Sequence, residues 1–155
     1  MNISDIKWSY SALKEFVNCP RQYHEIKVLK RYEKKPTTQM LYGTEVHSAL
    51  ENYVKDGTPL PKNYQRFQKQ LDPLREMDGI KYPEHRMAIT AEKVPCSFGS
   101  SDYWARGIAD LLVIDGEQGF IVDYKTGSSK YPDPKQLQLM ALLTFATFPE
   151  VTQIK

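Results

Sequence analysis

The chain contains, at residues 107–127, the stretch GIADLLVIDGEQGFIVDYKTG, which reads as two β-strands joined by a tight turn. Two apolar, β-favouring runs flank the Asp-Gly dipeptide at 115–116, which is a strong turn signal. Because successive side chains of a strand point to opposite faces, Asp123 and Lys125 are expected on one side, next to Asp110 of the neighbouring strand. The sequence therefore predicts two carboxylates and one ammonium at the end of a buried hairpin.

Such a group of charges is costly to bury unless its members pair or bind an ion. A divalent cation held by Asp110 and Asp123 would offset that cost, and it indicates metal-assisted chemistry. In a globular protein of another class, Asp123 and Lys125 would instead form a surface ion pair that contributes little to stability.

Composition predicts one soluble domain over residues 1–155, with 41% hydrophobic and 26% charged residues. The net charge is only +2, so any basic groove must be local. Two cysteines make no disulfide framework and favour a reducing compartment. The first residues lack a signal pattern, and the longest apolar run, near 139–148, is too short to span a bilayer. We therefore expect a cytoplasmic protein without a membrane segment.

Residues 1–78 are predicted to be mainly helical. The first helix follows the N-cap Ser9, with Leu13, Phe16 and Val17 as its apolar stripe. A second helix, with Pro20 in its first turn, is expected from residue 21 to about 30. A basic cluster follows, either a solvated helix end or an edge that contacts phosphate. Its members are Lys27, Lys30, Arg31, Lys34 and Lys35.

A third helix is predicted from Met40 to Tyr53. Its expected core face is Tyr42, Val46, Ala49, Leu50 and Tyr53. Gly43 costs roughly 1 kcal/mol relative to alanine in a helix, which indicates a close backbone approach there. His47 lies four residues later on the same face, and spacing alone favours a structural histidine over a ligand.

The remaining elements have the patterns of an αβ core over residues 79–155. Before this core, still within residues 1–78, lies a helical stripe of Tyr64, Phe67, Leu71 and Leu74 that is broken at Asp72-Pro73. Strands are predicted at 84–94 and 103–114, followed after the hairpin by a helix at 135–148 and a strand at 151–155. The inward side of that helix is expected to be Leu139, Leu142, Leu143 and Ala146. A short strand at the very end indicates a fragment of a longer chain.

Several motifs occur along the chain in a defined order. They are the opening helices at 9–23, G-x-x-x-H at Gly43–His47, the acidic Glu84 at the start of a strand, G-x-x-D at Gly107–Asp110, D-x-K at Asp123–Lys125, and Gln136–Met140. This series resembles the RecB-like exonuclease branch of the PD-(D/E)xK nuclease superfamily. The chain departs from that pattern at Ala109, in place of a proline, and at Met140, in place of a tyrosine whose hydroxyl could contact DNA.

The resemblance implies a restriction-endonuclease-like α/β (α+β) fold, in which helices flank a central mixed sheet. It implies Mg²⁺ or Mn²⁺ bound by Asp110, Asp123, the carbonyl of Tyr124 and His47, whose imidazole favours Mn²⁺ somewhat. The remaining expected roles belong to residues around that centre. Glu84 would bind a second metal or orient water, Lys125 would polarise the attacking water, Gln136 would position the site or contact DNA, and Thr126, Ser128, Ser129 and Lys130 would meet a phosphate or stay solvated.

Some relatives hold a four-iron cluster through a cysteine placed like Cys19 and three more near the C-terminus. Cluster iron needs four thiolates, and Cys96 lies before the hairpin, so an iron–sulfur cluster is not expected in this chain. A packed helix cysteine is the simpler interpretation of Cys19.

The function implied by the resemblance is a metal-dependent DNA exonuclease, more than an endonuclease, in phage or bacterial recombination or repair. DNA is the expected partner, together with a recombination or helicase protein. The alternative is a DNA-binding module of the same fold without turnover. The pattern leaves the oligomeric state and the strand preference open.

Overall fold

The computed structural model describes residues 7–125 and 133–155. The elements are α1 (Tyr10–Asn18), α2 (Pro20–Tyr23) with a π-helical continuation (His24–Val28), α3 (Thr38–Asp56), a 3-10 helix (Lys62–Phe67), α4 (Gln68–Glu76), β1 (Ile80–Ile89), β2 (Ala105–Asp115), β3 (Gln118–Val122), α5 (Pro134–Thr147) and β4 (Gln153–Ile154). Within these ranges, none of the helices combines the length and the apolar character needed to cross a membrane.

The four strands form one mixed sheet in the order β1-β2-β3-β4. The first three are antiparallel neighbours, and β4 runs parallel to β3. Helices α3 and α4 contribute to the core on one face, and α5 contributes to the core on the other. The predicted mixed sheet flanked by helices is confirmed.

The core between the sheet and α3 is built from residues that lose nearly all solvent contact. Val46 and Leu50 of α3 meet Leu111 and Val113 of β2 there. Burying such a side chain fully contributes roughly 1.5–3 kcal/mol. This core fixes α3, and with it His47, against the middle of the sheet.

Helix α3 is longer than predicted because both of its ends are capped. The Thr37 hydroxyl accepts the amide of Met40, and Gly57 ends the helix in the left-handed region at φ 80°. Tyr42 was wrongly assigned to the core, since it is 43% exposed. The close approach expected at Gly43 is also wrong, because a Cβ built there meets nothing within 4 Å among the residues that the structure describes.

The apolar side chains of the N-terminal helix α1 are more exposed to solvent than the sequence predicts. Ser9 caps α1 as predicted, accepting the amide of Ala12. The stripe of Leu13, Phe16 and Val17 was expected to be buried, but the exposed fraction of these side chains ranges from 38% to 70%. No residue of α1 is buried, because within the described residues this helix lies at the margin of both cores.

The predicted second helix is present from Pro20 to Val28, close to the expected bounds. Its α-helical part ends at Tyr23, and the π-helical turn continues it. In the next helical region, the stripe containing Tyr64 and Leu71 is confirmed as core. The break in that stripe lies between the 3-10 helix and α4, not at Asp72-Pro73. Pro73 lies inside α4, where its missing N–H removes one helix hydrogen bond, and Asp72 accepts the hydroxyl of Tyr53.

Helix α5 begins at Asp133, whose carboxylate accepts the amide of Lys135, and has Pro134 in its first turn. Leu143 is buried as expected, and Leu139 and Ala146 pack partly against the same cluster. The inward assignment of Leu142 is wrong, because it is 36% exposed. Two other residues of α5 are buried instead, Met140 and Thr144.

Strand β1 begins and ends earlier than predicted. Residues 81–83 pair with β2, whereas Thr90 donates its amide to the carbonyl of Val94 and closes a turn that ends the strand. Pro83 is tolerated because β1 is an edge strand of the described sheet, where a missing N–H breaks no ladder. The terminal strand, predicted at 151–155, is shorter than expected and consists only of β4. The first strand of the hairpin begins at Ala105 rather than at residue 103.

Strands β1 and β2 reverse the facing of their side chains at one level of the sheet. Ala109 and Leu112 both pack on the α5 side, so two consecutive residues, Asp110 and Leu111, lie on the α3 side. The pairs on either side place Glu84 opposite Asp110, and Glu84 has the left-handed φ of 47°. This reversal lets an acidic residue and a core leucine share one face of the sheet.

Two glycines give opposite predictions for alanine substitution. Gly43→Ala should raise the free energy of unfolding by roughly 0.5–1 kcal/mol, because it improves helix propensity without any contact. Gly107→Ala should lower it by roughly 1–3 kcal/mol, because its Cβ would lie 2.0 Å from Cε of Met140 and 3.1 Å from Cδ1 of Leu143. Urea unfolding of both variants measures this, and equal effects would contradict the packing described.

Candidate active site

Three elements bring one potential metal ligand each to a single place. His47 of α3, Glu84 of β1 and Asp110 of β2 each offer one ligand atom, and these atoms lie within 4.8 Å of one another. All three side chains are partly buried. A nitrogen and two carboxylate oxygens form a donor set that suits Mn²⁺ or Mg²⁺.

Asp110 is held in place by two neighbours. Its Oδ2 accepts the backbone amide of Tyr124 at 2.7 Å and lies 3.5 Å from Nδ1 of His47. The Asp110 side chain is only 15% exposed. The carboxylate is therefore fixed between α3 and the segment that follows β3.

The pKa values of His47 and Glu84 are both raised by their surroundings in this cluster. A hydrogen bond to Asp110 raises the pKa of His47 against the opposing effect of burial, with a backbone hydrogen bond to Tyr124 adding to the rise. Burial raises the pKa of Glu84, and the nearby carboxylates of Asp110 and Glu51 raise it further. Neighbouring carboxylates thus contribute to both shifts, and a bound cation would offset the repulsion between them.

A second group lies where the hairpin ends. Lys125 Nζ is 2.5 Å from Oδ2 of Asp123 and donates to Oε1 of Gln136 at 3.2 Å. The amide nitrogen of Gln136 donates to the other Asp123 oxygen at 2.9 Å. Asp123 and Lys125 lie beyond the end of β3, yet they meet as the sequence predicts, and α5 supplies Gln136 to both.

The predicted residues thus divide into two groups. Asp123 was predicted to share a cation with Asp110, but in the described residues it pairs with Lys125 and is not in the cluster of His47 and Glu84. Four further predicted phosphate contacts lie outside the described residues. They are Thr126, Ser128, Ser129 and Lys130.

A cavity of about 610 Å³ opens beside the ligand cluster. Gly43, His47 and Glu84 line it, together with Glu51 and Arg86, which sequence reasoning did not select. Glu51 follows His47 by four residues on α3, and that i, i+4 spacing is the signal that could have identified it. The open space at Gly43 therefore belongs to this cavity.

The side chain of Tyr124 is buried next to the cluster, and its ring lies edge-on to His47 at 6.0 Å between centroids. Its hydroxyl has no hydrogen-bond partner within the described ranges. Burial, and then the carboxylate of Asp110, raise the pKa of this hydroxyl, so it stays protonated. The backbone of Tyr124, rather than its hydroxyl, contacts the site.

The other residues selected from the sequence have structural contacts. Cys19 caps α2, where its Sγ accepts the amide of Gln22 at 3.4 Å. In the basic cluster, Lys27 and Lys34 both pair with Glu15, and the pKa of Glu15 is lowered mainly by its hydrogen bond to Lys34. This cluster is therefore partly neutralised within the chain.

Comparison with known families identifies the class of protein. The model of the PD-(D/E)XK nuclease superfamily matches residues 7–94, more than half of the chain. The chain therefore belongs to the PD-(D/E)XK nuclease superfamily. The match includes His47 and Glu84, and the fold brings both of them beside Asp110, which lies outside it. Comparisons with curated proteins and with solved structures gave no significant match.

The hydroxyl and the backbone of Tyr124 can be separated by one substitution. Tyr124→Phe removes an unpaired buried hydroxyl and keeps the ring, so the free energy of unfolding should stay unchanged or rise by about 1 kcal/mol. Metal affinity should be unaltered, since the Asp110 contact is made by the backbone. Thermal unfolding with and without Mn²⁺ measures both, and a lost Mn²⁺ effect would assign the hydroxyl a role.

Glu84 is expected to lower the stability of the metal-free protein and to be required for metal binding. Glu84→Asn should raise metal-free stability by about 1 kcal/mol, because asparagine tolerates the left-handed conformation and a crowded carboxylate is removed. The same variant should lose the rise in Tm that Mn²⁺ gives the wild type.

The matched control is Lys93→Asn, since Lys93 has φ 64° in a turn away from the cluster. It should gain stability similarly and keep the full Mn²⁺ effect. An Mn²⁺ shift retained by Glu84→Asn would exclude Glu84 from the ligands.

Proposed function

We propose that this chain is a metal-dependent deoxyribonuclease of the RecB-like branch that hydrolyses phosphodiester bonds from a DNA end. Membership of the PD-(D/E)XK nuclease superfamily supports the reaction class. The observation that carries the proposal is the convergence of His47, Glu84 and Asp110 from three separate elements.

We assign the cation, Mg²⁺ or Mn²⁺, to His47, Glu84 and Asp110, with Asp123 and the carbonyl of Tyr124 as further donors. The donor set suits such a cation. The hydrogen bond to Asp110 raises the pKa of His47, burial raises the pKa of Glu84, and the nearby carboxylates add to both rises. When bound, the cation supplies Lewis-acid stabilisation of charge that develops on the phosphoryl group.

The second group of residues, Asp123, Lys125 and Gln136, is assigned to the water that attacks the phosphodiester. Lys125 contacts Asp123 and Gln136, and these two contacts orient its ammonium although the side chain is 43% exposed. In the proposed role, it orients the attacking water and donates hydrogen bonds to the negative charge that develops on phosphate oxygens. Gln136 bridges Asp123 and Lys125 and thereby sets the distance between them.

The biological setting we propose is recombination or repair in a bacterium or in phage-infected cytoplasm. A recombination or helicase protein would supply the DNA end. In this chain, the position that usually carries a tyrosine in the branch is Met140, which packs under Gly107. DNA contacts at that position must therefore come from other residues.

Loss of the Lys125 ammonium or of the Asp110 carboxylate should lower the rate of DNA cleavage strongly without loss of the fold. Lys125→Gln and Asp110→Asn should each lower kcat on labelled DNA with Mg²⁺ or Mn²⁺ by about 10²-fold or more. The control is Lys69→Gln, an exposed lysine of α4, which should cleave like the wild type. Cleavage that survives in both site variants would reject the assignment.

Three further outcomes separate a binding module, an exonuclease and an endonuclease. Wild-type DNA binding without cleavage in either metal would identify a binding module without turnover. Cleavage of linear but not circular DNA would support an exonuclease, and cleavage of both would indicate an endonuclease.

A further inference from the structure

A row of charged and apolar side chains leads away from the ligand cluster along β1 and β2. Arg86 follows Glu84 by two residues on β1, and both line the same cavity. On β2, Ile108 and Arg106 precede Asp110 by two and four residues, and Ile108 pairs with Arg86. Since a strand rises about 3.3 Å per residue, the row extends roughly 13 Å from Asp110.

One aromatic ring holds both arginines of this row. The guanidinium carbons of Arg86 and Arg106 lie 5.6 Å and 4.8 Å from the centroid of the Phe98 ring. Arg106 also lies 4.3 Å from the Tyr103 ring and donates to the carbonyl of Phe98 at 3.1 Å. The two cations are therefore positioned in advance by rings rather than by acids.

Neither arginine forms an ion pair with an acid in the part of the chain that the structure describes. Two like charges on one ring repel each other, and a polyanion placed along them would remove that repulsion. The row also offers Ile108, which is 38% exposed and lines the same cavity as Phe98. Cations interleaved with aromatic and apolar groups suit a single nucleic-acid strand, whose bases are free to stack.

The row connects with the active site on both sides. Arg86 lines the cavity of His47 and Glu84. Arg106, Phe98 and Ile108 line a second cavity of about 320 Å³, whose wall includes Gln136. Gln136 contacts both Asp123 and Lys125, so a strand in the second cavity would lie beside the reacting groups.

We infer that Arg86, Phe98 and Arg106 form a binding subsite for a single DNA strand, in which the two arginines contact successive phosphates next to the scissile bond. This inference rests on the proposed nuclease function, since it concerns how the same site holds its substrate. Phe98 positions the guanidinium groups and offers its edge to a base.

The test is the salt dependence of binding to a fluorescent single-stranded oligonucleotide, with Ca²⁺ in place of Mg²⁺. Arg86→Gln and Arg106→Gln should each weaken binding about five- to tenfold and reduce the slope of log K against log salt by about 0.7. The double variant should lose about 1.4.

The matched control is Arg75→Gln, because Arg75 also lies over an aromatic ring, 4.7 Å from the centroid of Tyr53, but outside the row. It should bind like the wild type. Arg106→Lys should keep the salt slope, since it keeps the charge. Arginine variants that match Arg75→Gln, an Arg106→Lys as damaged as Arg106→Gln, or a loss seen with duplex alone would overturn the inference.

Cleavage distinguishes this inference from the nuclease proposal. In a cleaving wild type, the arginine variants should raise KM and leave kcat within about twofold at saturating DNA. If the wild type binds DNA through the arginines but never cleaves it, the nuclease proposal is rejected and the binding subsite is supported. If the wild type cleaves DNA and its arginine variants behave like the control, the nuclease proposal is supported and the binding subsite is rejected.

Discussion

The contact between Asp110 and its two neighbours is the constraint on which the site depends. One carboxylate oxygen accepts the amide of Tyr124 and faces His47, so it joins a helix, the central strand and the end of the hairpin. A buried carboxylate with one such partner removed would be left with an unmet electrostatic demand. The arrangement therefore couples metal affinity to the packing of α3 on the sheet, and the core of Val46 and Leu50 beneath α3 supports the chemistry.

The reversal of facing in β1 and β2 explains how a site can be built in the middle of a core. Strict alternation would send either Asp110 or Leu111 to the wrong side of the sheet. The strands instead place both on the α3 side, at the level where Glu84 adopts a left-handed conformation. Backbone strain of this kind persists where surrounding packing holds it, and functional sites are its common location.

The sequence predicts local features of this fold well. Ser9 as a cap, the hairpin and the inward faces of Leu50 and Leu143 follow from patterns that depend on near neighbours. The solvent exposure of particular side chains escaped prediction. Exposure of α1 and of Tyr42 depends on which elements cover them, and periodicity carries no such information.

In the candidate site, too, contacts between near neighbours in sequence could be predicted, whereas contacts that depend on long-range packing could not. The meeting of Asp123 with Lys125 follows from their spacing, and their contact is present. The approach of His47 and Glu84 to Asp110 depends on long-range packing and register, so spacing alone favoured a structural histidine. Glu51, Arg86 and Phe98 carry no motif, and only the folded arrangement brings them to the cavities.

The distorted level of β1 has a consequence for behaviour in concentrated solution. An open strand at the margin of a sheet is a template on which a second molecule can extend the ladder, and that pairing leads to aggregation. Here Pro83 lacks a donor and Glu84 turns the backbone out of the extended conformation, both near the middle of β1. The feature that delivers an acidic ligand to the site thus also discourages intermolecular strand pairing.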